Sequence, residues 1–331
     1  MIKFASAFLL ALSVTIWAVP AHGTAHFISR WGHRLTGVLN SLHLTHSSQN
    51  TRRRATARTQ PAPVRFREDE AHGLLVKTWV NDAGAFTFAI DTGAGASIIS
   101  LRVAREAGVG IVANSSISIS GLSGQRSSNG REAVIRTLAI GQPENYLPSQ
   151  GLVIVSENLP DGLDGVLDPA ECYWPLGFTL DFPAGGISAF EQRQTPLRRA
   201  DAPPDGAIVS WLTDGTSRRP YVALAHGRRA LIDSGSGFGL ALSLSAARSI
   251  GIDPVNARER EGVRDLARGQ ISAQRIAPAT VQIGPLVLRR VPTDLLPSAP
   301  ANAPVLLGRD ALLPFQLSFD PINKLIRFAP Q

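Results

Sequence analysis

The sequence predicts an all-β chain of two similar lobes made by internal duplication, with one short helix in each lobe after a matched aspartate-containing loop. Three observations predict it. A long ordered repeat runs through the chain, and the segments within each copy have the length and β-branched content of short strands. The 331 residues also suffice for two cores of ordinary size. An apolar fraction of 44% with 18% charged residues is that of a packed globular protein and excludes wholesale disorder.

Taken in chain order, Met1 to Lys3 gives a short positive start and Phe4 to Val19 an unbroken run of apolar and small residues. Pro20-Ala21-His22-Gly23 follows, with Ala21 and Gly23 at the −3 and −1 positions for cleavage before Thr24. Residues 1–23 are thus expected to be a signal peptide and the mature chain to be periplasmic or secreted. The run is shorter than the roughly 20 residues of a spanning helix, so membrane association is expected only through an uncleaved N-terminal segment.

Residues 24–63 read as a basic linker or prosegment. Arg30, Arg34, Arg52, Arg53, Arg54, Arg58, Arg65 and Arg67 precede the first acid, Glu68, so much of the net charge of +7 sits in one stretch. That distribution marks a solvated tail and not a nucleic-acid partner. His26, His33, His43 and His46 lack acidic or cysteine partners and form no zinc pattern, and a short amphipathic helix fits Arg34 to Leu44. The single cysteine, Cys172, forms no intramolecular disulfide and reads as a small buried hydrophobe.

Beyond this stretch the chain repeats itself. Asp91 returns as Asp233, Gly108 as Gly251 and Asp181 as Asp320, at offsets of 142, 143 and 139 residues. So small a drift means two copies of one module, an N-terminal lobe over 64–196 and a C-terminal lobe over 197–331. Gln194-Thr195-Pro196 and Ala202 to Gly206 supply linker and turn chemistry between them.

In the first copy, Leu74 to Val80, a turn over Asn81 to Gly84, and Ala85 to Ile90 form a predicted hairpin that delivers Asp91 to a loop. In the second, Tyr221 to Ala225 and Arg229 to Ile232 flank a turn at His226 to Arg228 and deliver Asp233. A short helix follows each loop, with Ser100 or Ser243 as N-cap and Gly108 or Gly251 just past its end.

A lone Asp-Thr-Gly carries little information, as Asp214-Gly215-Thr216 in a plain polar turn illustrates. Asp91-Thr92-Gly93-Ala94 and Asp233-Ser234-Gly235-Ser236 differ because each follows an apolar strand, precedes a helix and matches the other. With Leu306-Leu307-Gly308, these motifs resemble the pepsin and retropepsin superfamily of aspartic proteases over about Val64 to Phe328. The resemblance implies a bilobal, pepsin/retropepsin-like fold and an aspartic endopeptidase with Asp91 and Asp233 as its catalytic pair. It implies support of that pair by Thr92, Gly93, Ser234, Gly235 and Ser236, and no metal or organic cofactor.

Two carboxylates so close cannot both ionise, so one holds a proton while the other acts as base. A hydroxyl on Ser236, which Ala94 lacks, is expected to leave more of the charge on Asp233. Gly121-Leu122-Ser123-Gly124 is the expected flap, and Gly262 to Gln270 the equivalent stretch of the second copy. At position 168, where the family carries glycine, this chain has Asp168. The expected partner is a peptide or protein substrate met by a monomer; the alternative is an inactive module that binds a peptide or other ligand in the same cleft.

Overall fold

The computed structural model describes residues 10–11, 15–16, 60–120, 129–149, 151–215, 217–254, 257–260, 264–265, 271–301 and 303–331. Gln60–Gln331 belong to one compact unit. The basic stretch before Gln60, the helix expected over Arg34 to Leu44, the flap at Gly121 to Gly124 and most of Gly262 to Gln270 lie outside the described residues.

Each copy builds its loop from the expected hairpin. Strands Gly73–Val80 and Ala83–Ile90 pair from Leu74 opposite Ile90 to Val80 opposite Ala83. The turn is thus two residues long and not four, because Asn81 and Asp82 both take positive φ, 48° and 70°. Asn and Asp tolerate that region, and such a turn matches the twist of the strands it joins. Asn81 Oδ1 also accepts the Arg136 N–H at 2.7 Å, tying the turn to the next strand. In the second copy Ser217–Ala223 pairs with Arg229–Asp233 around a 3₁₀ turn at Ala225–Gly227.

A third strand then inserts beside each aspartate strand. Gly165–Leu167 runs parallel to Ala83–Ile90, and Val305–Gly308 runs parallel to Arg229–Asp233. The short strands Ile98–Ser100 and Leu240–Leu242 pair antiparallel with these inserts. Both faces of the aspartate strands are covered. Ile90 and Ile232 face the main core, while Ala89 and Leu231 face two smaller clusters, one in each lobe. Two-sided burial explains the continuous apolar runs that precede each aspartate.

The predicted helices form at Leu101–Glu106 and Leu244–Ser249. Ser100 Oγ accepts the Val103 N–H and Ser243 Oγ the Ala246 N–H, both at 3.2 Å. Gly108 and Gly251 follow at φ +56° and +74°, where a side chain would be strained. Two further helical turns, Pro169–Cys172 and Arg309–Leu312, follow the inserted strands. Four residues carry no periodic apolar signal by which a sequence would reveal them.

The copies meet in a six-stranded sheet that draws strands from both sides of residue 196. Gly177–Asp181 of the first copy lies antiparallel to Phe315–Asp320 of the second. Thr179 sits opposite its own repeat counterpart, Ser318, with the hydroxyls 2.9 Å apart, and Phe178 opposite Phe319 with rings stacked at 4.5 Å. Pairing of a residue with its own counterpart is what a two-fold relation between the copies requires.

Two pieces of the N-terminal segment pair through their backbone, one at the edge of the sheet that holds Ile117–Ser120 and one in a separate two-stranded sheet. Thr15–Ile16 pairs with Ile119 and Ser120, and Leu10–Ala11 with Arg264–Asp265.

Candidate active site

The repeat places Asp91 and Asp233 at the ends of equivalent central strands, and the fold brings the two loops together. Thr92 N–H donates to Ser234 Oγ at 3.1 Å, and Ser234 N–H donates to Thr92 Oγ1 at 3.0 Å. Each hydroxyl then donates across the junction to the other copy's strand, Thr92 to the Ile232 carbonyl at 2.6 Å and Ser234 to the Ile90 carbonyl at 3.2 Å. Thr92, Ser234 and both aspartates are fully buried, so no water competes for these bonds. The four bonds lock the relative position of the two carboxyls.

Gly93 is required by what faces it. A Cβ there would lie 2.8 Å from Asp233 Cγ, closer than non-bonded carbons approach. Its N–H donates to Asp91 Oδ1 at 2.7 Å. In the second loop the Ser236 N–H donates to Asp233 Oδ1 at 3.0 Å. The Ser236 hydroxyl is not the donor expected from the sequence: Ser236 Oγ accepts the Phe238 N–H at 3.4 Å. The loop turns tightly enough after Asp233 for the backbone to reach the carboxyl first.

Asp91 Oδ2 and Asp233 Oδ2 have no protein N–H or O–H to accept from. The two carboxyls are within hydrogen-bonding reach of each other, a bond that exists only when one is protonated. Burial, then the charge of Asp233, pushes Asp91 well above the ordinary carboxylate range. Burial also raises Asp233, to about 7, against the opposing hydrogen bond from Asp91, the Ser236 N–H and the charge of Arg309. Burial thus favours the protonated form at both carboxyls, and the two titrate as one coupled pair.

Arg309 is a residue that sequence reasoning missed. It follows Leu306-Leu307-Gly308 directly and is almost fully buried, with Nη1 donating to the Ser234 and Gly235 carbonyls at 3.2 Å each. A cation at the end of an apolar strand was the available signal. Gly121, Leu122, Ser123 and Gly124 fall outside the described residues, but the strands flanking them, Ile117–Ser120 and Asn129–Ile135, pair antiparallel. No cluster of His, Cys, Asp and Glu suited to a metal occurs among the described residues. Cys172 is buried, its Sγ 3.1 Å from Ser97 Oγ, and burial raises the thiol far from its ionising range.

A sequence model described as aspartyl protease matches the chain twice, over residues 76–165 and 226–311, together just over half of its length. The fold is similar to that in the crystal structure of aspartic proteinase from Irpex lacteus. That superposition has a TM-score of 0.54 at 11% identity, and covers 82% of this chain and 97% of that one. A search of curated proteins finds none that matches.

Proposed function

This chain belongs to the aspartyl protease family, and from that premise we propose that it is an aspartic endopeptidase working through Asp91 and Asp233. The observation that carries the reading is the pair of fully buried carboxyls held together by reciprocal bonds of Thr92 and Ser234. Ionised Asp233 takes a proton from a water that attacks the peptide carbonyl. The proton on Asp91 supports the developing oxyanion, and a carboxyl then protonates the departing nitrogen. Neither step needs a metal.

A peptide substrate also suits two strand edges, one in each lobe, that take up added backbone. Backbone of Thr15–Ile16 pairs with Ile119–Ser120 in one lobe, and that of Leu10–Ala11 with Arg264–Asp265 in the other. Ala11 and Thr15 are four residues apart, so the two edges lie within reach of one peptide, at most about 14 Å apart. We further propose that residues 1–23 are removed on export, which leaves both edges for a substrate strand.

The test incubates a chain beginning at Thr24 with a diverse peptide mixture across acidic to neutral pH and identifies products by mass spectrometry. Cleavage at internal bonds is expected. Saturable peptide binding without cleavage at any pH would replace this reading with that of a binding module.

A further inference from the structure

The two lobes differ at one position beside the catalytic loops. In the second lobe, Gly308 stands directly opposite Asp233 in the parallel ladder. A Cβ at 308 would lie 2.4 Å from the Phe238 carbonyl oxygen and 2.8 Å from that of Ser236, so no side chain fits. In the first lobe the ladder pairs Leu167 with Ile90, and Asp91 N–H donates to the Leu167 carbonyl at 2.9 Å. The next residue, beside Asp91, is Asp168, and here a carboxyl is accommodated.

Asp168 is fully buried. Its N–H donates to Ser97 Oγ at 3.0 Å, and its Oδ1 accepts the Ala170 N–H at 2.9 Å, capping the turn Pro169–Cys172. Capping uses one oxygen. Oδ2 is buried with no hydrogen-bond partner, a costly arrangement that a plain cap does not need, since serine or asparagine would cap as well.

The second lobe supplies a counter-charge. Arg219 is 7% exposed and lies across the first catalytic loop, where a Cβ on Gly95 would be 3.2 Å from its Cδ. Its Nη1 is likewise buried without a partner. Burial, then the charge of Glu171, pushes Asp168 well above the ordinary carboxylate range, and the charge of Arg219 opposes them. Glu171 is itself paired with Arg218 and lies near Lys324. Cys172 and Ser97 complete the surroundings, and Arg309 lies on the Asp233 side. Asp91 thus has a carboxyl beside it, and Asp233 a guanidinium.

We propose that Asp168 is a third buried carboxyl of the catalytic centre, a positioning residue that acts through Asp91 by holding the shared proton there and leaving Asp233 as base. The proposal rests on the peptidase reading above. Once Asp168 ionises, its charge makes loss of the Asp91 proton harder, whereas the charge of Arg309 acts on Asp233 in the opposite sense.

The test is Asp168→Asn, which keeps the shape and the helix cap and removes the ionisable carboxyl. In kcat/KM against pH, the alkaline limb, set by Asp91 losing its proton, is expected to fall by about one pH unit while the acidic limb stays in place. Arg219→Gln, which leaves Asp168 protonated longer, is expected to shift the same limb the same way, and the double variant to shift it no further. A profile that superimposes on wild type, or a simple scaling of the rate at all pH values, overturns the proposal.

Carbon-13 NMR of the aspartate carboxyls follows the same event without turnover. Asp91 is expected to titrate at lower pH in Asp168→Asn than in wild type, and an unchanged titration overturns the proposal. If wild type hydrolyses no peptide, the functional reading fails, and the NMR comparison still decides the role of Asp168.

Discussion

Among single residues, the two aspartates were legible because each ends an apolar run and opens a glycine-rich turn. An asymmetry between them was expected from the Ser236 hydroxyl; in the structure the Ser236 N–H reaches Asp233 instead, and Arg309 lies against that loop. Contacts such as Arg219 against Gly95 join residues from different lobes and leave no local trace in a sequence. The burial of the pair has a consequence for stability. In the unfolded chain Asp233 ionises near 3.8, whereas in the folded chain it holds its proton up to about 7. The folded state binds more protons between those values, so this contribution is full below 3.8 and is lost as pH rises towards 7. Wild type is therefore expected to lose urea resistance, relative to Asp233→Asn, as pH is raised through that window. Parallel midpoints for the two chains across the window would contradict the buried, protonated pair.

The hairpins and helices were readable in advance because turn residues and caps act locally: Asn81-Asp82, Ser100, Ser243, Gly108 and Gly251 each specify a backbone state by their own chemistry. The inserted strands Gly165–Leu167 and Val305–Gly308 were recognisable only as repeated motifs, since their parallel pairing is made with strands more than 70 residues away. Ser243→Ala is expected to cost about 1 kcal/mol by removing the cap of Leu244–Ser249, with activity kept. The lock between the loops should be less tolerant. Ser234→Ala removes the acceptor of the Thr92 N–H and the donor to the Ile90 carbonyl. Each group left unsatisfied in a dry site costs about 1–3 kcal/mol. Urea unfolding is expected to show that loss together with reduced kcat, and Ser234→Thr to restore both. Full activity in Ser234→Ala would mean that the loops are aligned by something other than these bonds.

On the scale of the whole molecule, two sets of contacts mark the relation between the copies, Thr92 with Ser234 at the site and Thr179 with Ser318 in the shared sheet. The duplication was plain from the sequence; the shared sheet was not, because it is assembled from both sides of the linker at residue 196. Since Gln60–Gln331 belong to one compact unit, a chain beginning at Gln60 is expected to keep the urea midpoint of one beginning at Thr24. A large drop would assign residues 24–59 a part in the folded body. The central claim is that both carboxyls are needed on one water. It is tested most directly by kcat/KM for a cleaved peptide at the pH of maximal rate, in wild type, Asp91→Asn and Asp233→Asn. Each variant is expected to fold, as judged by its unfolding transition, and to lose about 10³-fold or more in rate, the contribution of a positioned acid or base. A folded variant of either aspartate that cleaves at the wild-type rate would contradict the account.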